Sequence, residues 1–167
     1  DDPAQLSFMQ YDPPSTLKVS EHPVPRAKFP FVDVHSHQFD LDEAQLRELV
    51  AEMDKLNMGV MVNLSGRGFE RKTGPDGKQR YGLKDRQYLL DAIALGERVA
   101  PGRIVHFTNV DFSRVGGADW PAAALAELEA DVAAGARGLK IYKGLGMDTE
   151  DVAGRRIAVN DPRLAPI

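Results

Sequence analysis

The 167-residue chain has no cysteine. Disulfide scaffolds and thiolate metal sites are therefore excluded. The compartment stays open, because secreted proteins of this size can do without disulfides. No apolar run reaches the length of a membrane span. Basic charge is not in excess: 21 Lys and Arg stand against 25 Asp and Glu, for a net charge of −4. The basic residues are scattered and form no stripe suited to nucleic acid. What is present is an ordinary globular composition, 43% hydrophobic and 28% charged, which points to one core; the partner expected is a small-molecule substrate.

Residues 1–30 carry Asp12-Pro13-Pro14-Ser15 and His22-Pro23-Val24-Pro25. Such a stretch forms neither a regular helix nor a central strand. It reads as an extended arm packed across the surface of the domain formed by residues 31–167, with His22 a solvated loop histidine. The chain starts at Asp1. That start and the proline-rich arm lean the expected location towards the periplasm or the cell exterior.

From Phe31 onward, short apolar runs alternate with helix-period segments. Strands are expected at Phe31–His37, Val60–Leu64, Ile104–Val110 and Gly138–Tyr142. Leu46, Leu49, Val50 and Met53 repeat at helical spacing, with Asp42 or Asp40 as cap and Gly59 as terminator. Leu89, Leu90, Ile93 and Ala94 mark a second helix. Asp119-Trp120-Pro121 opens a third, with Leu125, Leu128 and Val132 on its inner face, Trp120 packed in the core and Gly135 at its end. Asp161-Pro162 reads as the start of a fourth, cut short at Ile167. Strand–helix alternation of this kind means parallel strands joined by right-handed crossovers. It suits the first half of a (β/α)8 barrel or an open doubly wound sheet. No glycine-rich dinucleotide fingerprint follows the first strand.

Asp33-Val34-His35-Ser36-His37 closes the first strand. Period-two alternation puts Asp33, His35 and His37 on one face, and Val32 and Val34 on the other, towards the helices. Two imidazoles at a strand end make the first half of a divalent metal site. Asp33 is placed to orient one of them or to contribute to packing. The long polar segment Gly66–Lys84, with a Pro75-Asp76-Gly77 turn, is either a solvated hairpin insertion or a lid, in which Arg67 or Arg71 meets an anionic substrate. Asn109 and Asp111 end the third strand, where substrate contact and loop capping are equally open. His106 reads as a core histidine.

The Asp33–His37 motif resembles the first-strand signature of the amidohydrolase superfamily. Gly135–Gly144 is similar to its fourth-strand region, and Ile157–Leu164 to the approach to its fourth helix in the amidohydrolase-2 branch. The resemblance implies the N-terminal half of a (β/α)8 TIM-type barrel, with one or two divalent metals, zinc expected. It implies His35 and His37 as metal ligands. It also implies Lys140 as a carboxylated bridging ligand, with Lys143 the neighbouring alternative and a substrate contact. The activity implied is hydrolysis by water activated on the metal. Non-oxidative decarboxylation on the same scaffold is the alternative, and a lid arginine on a substrate carboxylate would favour it. The family's further histidines and its general-base aspartate belong to strands that have no counterpart here. No catalytic residue is therefore assigned, and this stretch alone is expected to be inactive. A half-barrel leaves sheet edges unpaired, so the remainder of the barrel or a second copy is the expected cover. An inactive half-barrel that only binds a partner is the remaining reading.

Overall fold

The computed structural model describes residues 11–73, 77 and 79–167. It contains β1 (Phe31–Ser36), α1 (Glu43–Leu56), β2 (Met58–Asn63), β3 (Phe69–Thr73), β4 (Gln79–Leu83), α2 (Arg86–Val99), β5 (Ile104–His106) and α3 (Trp120–Ala133). β1, β2 and β5 form a parallel sheet in that order. β3 and β4 form a separate antiparallel hairpin. The fold is mixed α/β with a small parallel sheet and three α-helices, and the described residues close no barrel.

Consecutive strands lie side by side, so right-handed crossovers carry α1 and α2 to the same face. Leu46 and Met53 of α1 pack there against Met61 of β2 and Ile104 of β5, all buried, with Leu95 and Val99 of α2 alongside. Asp42 starts α1 with a capping box: it accepts from the Gln45 backbone N–H (2.8 Å), and Gln45 Oε1 accepts from the Asp42 N–H (2.9 Å). The helix ends on Asn57 in the left-handed conformation (φ 65°). Gly59, the expected terminator, already belongs to β2.

The expected fourth strand is reduced to one parallel bridge, Thr108 to Leu139. Its hydrogen bonds continue the sheet order beyond β5: Thr108 N–H to Gly138 O and Lys140 N–H to Thr108 O, both 2.8 Å. The third strand is correspondingly shorter than expected and ends at His106.

α3 presents a different face from the expected one. Leu125 and Val132 are exposed at 40% and 48%, whereas Trp120, Ala124 and Asp131 are buried. Asp131 turns inward because it accepts from the Thr108 hydroxyl and from Arg86. Trp120 packs with Val110, Phe112, Val115, Leu145 and Ile157 in a second core. Asp161 caps a single 3-10 turn, Pro162–Leu164, rather than a regular helix. Arg163 joins that turn to the buried Asp151 (2.8 Å), which also accepts from the backbone of Ala153 and Arg155. These bonds hold the Asp151 carboxyl well below the usual range, the Arg163 bond contributing most.

Residues 11–26 of the arm have no regular structure and are exposed, His22 among them. The arm is tied down at its end: Arg26 donates to the last carbonyls of α1, and Ala27 N–H donates to Leu56 O (3.1 Å). The long polar segment after β2, read as a hairpin insertion or a lid, contains the β3–β4 hairpin. Its Pro75-Asp76-Gly77 turn lies outside the described residues except for Gly77. No helix among the described residues is long and apolar enough to cross a membrane.

Candidate functional site

The site gathers where the parallel strands end. The expected parity of β1 is overturned. Val32 lies beside Val60, and Asp33 beside Met61, whose side chain packs under the helices. Val32 and Val34 therefore look away from the helices and are 51% and 69% exposed. The register then breaks, because Asp33 pairs with Met61 and Ser36 with Asn63, three steps on β1 against two on β2. The extra residue is a bulge, the usual device for re-aiming a side chain at a sheet rim. Ser36 is buried beside Asn63, and His35 and His37 flank it on the opposite side. Asp33 supports this bulge through the main chain: its Oδ1 accepts the His35 backbone N–H (2.9 Å). It thus acts on the backbone of His35.

The His35 and His37 rings lie 5.4 Å apart, centre to centre. His37 stacks on Phe39 (6.0 Å, 11° between planes) and faces Tyr142 at 6.1 Å. The Lys140 ammonium sits 5.7 Å from the Tyr142 ring centre. His35, His37 and Lys140, far apart in sequence, thus meet around Tyr142. Local burial, followed by the Lys140 and His35 charges, lowers the His37 pKa. The neutral imidazole that a metal requires is thereby favoured.

The fit to a divalent metal rests on this pair. Two imidazoles bound to one tetrahedral zinc at ~2.0–2.1 Å have ring centres roughly 5 Å apart, close to the separation observed. Two histidines are not a full ligand set, and the described residues contain no group of three or more His, Asp or Glu able to hold a metal.

The remaining candidates separate into supports and exposed groups. Asn109 is buried. Its Oδ1 accepts the Arg67 N–H (2.9 Å), and its Nδ2 donates to Lys140 O (2.9 Å). It therefore clamps the β2 loop to the Lys140 segment and has no side-chain group turned to a substrate. Gly66 makes room for that clamp: it has φ 56°, and a Cβ there would lie 1.9 Å from Asn109 Oδ1. The Arg67 guanidinium turns onto Glu127 and Lys84 O, both at 3.3 Å, and its Nε has no hydrogen-bond partner. Lys143 is exposed in the turn after Tyr142. Asp111 caps a 3-10 turn through Ser113 N–H (3.1 Å). His106 is buried against α2 with Nε2 unpartnered, and desolvation lowers its pKa to about 4.

Sequence reading gave Tyr142, Phe39 and Phe69 no role. Burial pushes the Tyr142 hydroxyl up to about 12, and it donates to Leu64 O (2.7 Å). Phe69 meets the Tyr142 ring edge-on at 4.5 Å. The only sequence signal for these residues was an aromatic at or just past a strand end. No family model, no curated protein and no solved structure matches the chain.

Proposed function

We propose that this chain carries the first metal ligands of a metal-dependent hydrolase of the amidohydrolase type, with the sheet forming the first part of a (β/α)8 barrel. The observation that carries this reading is the His35–His37 ring pair, held by a bulge at the strand ends beside Lys140. The consecutive order of the parallel strands and the helices gathered on one face suit a barrel wall better than a doubly wound sheet, in which the strand order reverses. The open apolar face around Val32 and Val34 suits a barrel interior awaiting its other strands.

In this reading His35 and His37 would hold a divalent metal, zinc being the ion their donors suit, and Lys140 in carboxylated form would be a further ligand. The ion supplies Lewis acidity towards a carbonyl substrate. Asp33 keeps His35 on the open face, burial favours the neutral form of His37, and Tyr142 and Phe39 wall the imidazoles. The groups that complete the site and move the proton come from outside these residues.

The test uses the protein as its source makes it, with its intact mass and metal content measured together. The reading expects a mass well above 18.3 kDa, bound metal, and ester or amide hydrolysis that a chelator removes and zinc restores. His37→Asn should abolish both metal and activity. A native protein of 18.3 kDa without metal would end the reading.

A further inference from the structure

A second feature lies under the helices, on the side of the sheet away from the imidazole pair. α1 and α2 do not close fully over the strands there. They leave a cavity of about 150 Å³, walled by Leu41, Leu46, Leu49, Leu95 and Ile104, with His106 beside them. Leu41, Leu49 and Leu95 stay only half-buried around this gap. A space of this size between leucine and isoleucine side chains admits one six-membered ring.

Polar groups around the cavity are engaged within the protein. Asn63 Oδ1 accepts from the Gln38 and Ser65 backbone N–H groups, both at 3.0 Å, and its Nδ2 donates to Gln38 O (3.1 Å). The Tyr88 hydroxyl accepts from the Asp40 N–H (2.9 Å), and Asp91 accepts from Gln87 (2.8 Å). His106 is the exception. It is 8% exposed, and its Nε2 has no partner. Gly96 lets α2 close on this ring, since a Cβ there would stand 3.2 Å from Nε2. One unpaired imidazole holds a water poorly, because a buried water needs roughly two to four polar partners. It is enough for an apolar molecule with one polar group. Among the described residues, the charged groups lining the cavity are Asp40 and Asp91, both exposed at its rim. They disfavour an anion, and the apolar walls disfavour any full charge.

We propose that this cavity binds a small neutral phenol, its ring among Leu46, Leu49, Leu95 and Ile104 and its hydroxyl hydrogen-bonded to the His106 imidazole. The phenol donates, and the neutral imidazole accepts at the nitrogen that carries no proton. Burial keeps that imidazole neutral at pH 7 by lowering its pKa to about 4. The site shares no residue with the proposed metal centre and stands independently of it.

The test uses the protein as its source makes it, at pH 7, titrated with phenol and with toluene and followed by methyl and amide NMR shifts. Toluene has the shape of phenol without the hydroxyl. Both should saturate and shift Leu46, Leu49, Leu95 and Ile104. In the unaltered protein the His106 ring nitrogens should shift with phenol and far less with toluene, a readout that needs no variant to fold. His106→Leu removes the acceptor and keeps a side chain of similar size. It should weaken phenol at least about threefold and leave toluene within about twofold. Ala92→Leu puts a larger side chain into the cavity and should abolish both. His37→Asn, on the other side of the sheet, should leave phenol binding unchanged. No saturable phenol binding, His106 ring shifts equal for the two probes, phenol binding that survives Ala92→Leu, or its loss in His37→Asn would each overturn the proposal.

Discussion

The two faces of the parallel sheet are built to different degrees. Under the helices, Met53, Leu46, Met61 and Ile104 are closed from water, with Met53 only 1% exposed. On the other face Val32 and Val34 stand in solvent. The difference shows where stability and function reside. The covered face supplies the burial that holds the strands, and the open face carries the imidazoles. The largest expected effects therefore come from the covered side. Met53→Ala should cost about 2–5 kcal/mol, whereas Val34→Ala should change stability by less than about 0.5 kcal/mol. Urea unfolding of both variants checks this. Equal losses would mean that the open face is also a packed one.

His106 sharpens the comparison, because it is the histidine that the covered face encloses. Its pKa falls from 6.5 unfolded to about 4 folded. Between those values the unfolded chain binds a proton that the folded chain refuses, so stability falls as pH drops. The loss across this window should be about 3 kcal/mol. It should be absent in His106→Gln, measured by urea unfolding from pH 7 to pH 4. The same pH slope in that variant would assign the loss to other groups.

Much of the covered face was legible in the sequence. Leu46 and Met53 announced α1 by their spacing, and Leu89 and Ile93 announced α2, because each apolar stripe has a polar opposite side. α3 was misread because apolar residues surround it. Leu125, Leu128 and Val132 make one stripe, and Trp120 and Ala124 another. Only the inward pull of Thr108 and Arg86 on Asp131 decides between them. The site was half legible. The spacing of His35 and His37 drew attention to them, yet strict alternation put Val32 and Val34 on the wrong face. A bulge depends on the pairing register with β2, which β1 alone does not encode. The hairpin was open to two readings because Phe69–Leu83 alternates weakly around Gly and Pro. The Asn109 clamp needs Lys140 and Arg67 brought together from distant positions.

A smaller loss than those of Met53 and His106 belongs to the rim between the two faces. Asp33→Ala removes the acceptor that holds the His35 N–H and should cost about 1 kcal/mol. Its effect on zinc should be larger, roughly tenfold in affinity, as for other groups that orient a ligand from behind. Asp33→Asn keeps an Oδ1 acceptor and should stay close to the parent chain in both respects. If Ala and Asn behave alike, the carboxylate acts on the site by charge rather than by shaping the backbone.

The most direct measurement is a zinc titration by calorimetry of the protein as its source makes it, compared with its His35→Asn, His37→Asn and His22→Asn variants. The account predicts one saturable zinc site, lost in each of the first two variants and intact in the third, since His22 lies exposed in the arm. Zinc binding that survives the loss of both His35 and His37, or no saturable binding by the parent chain, would contradict it.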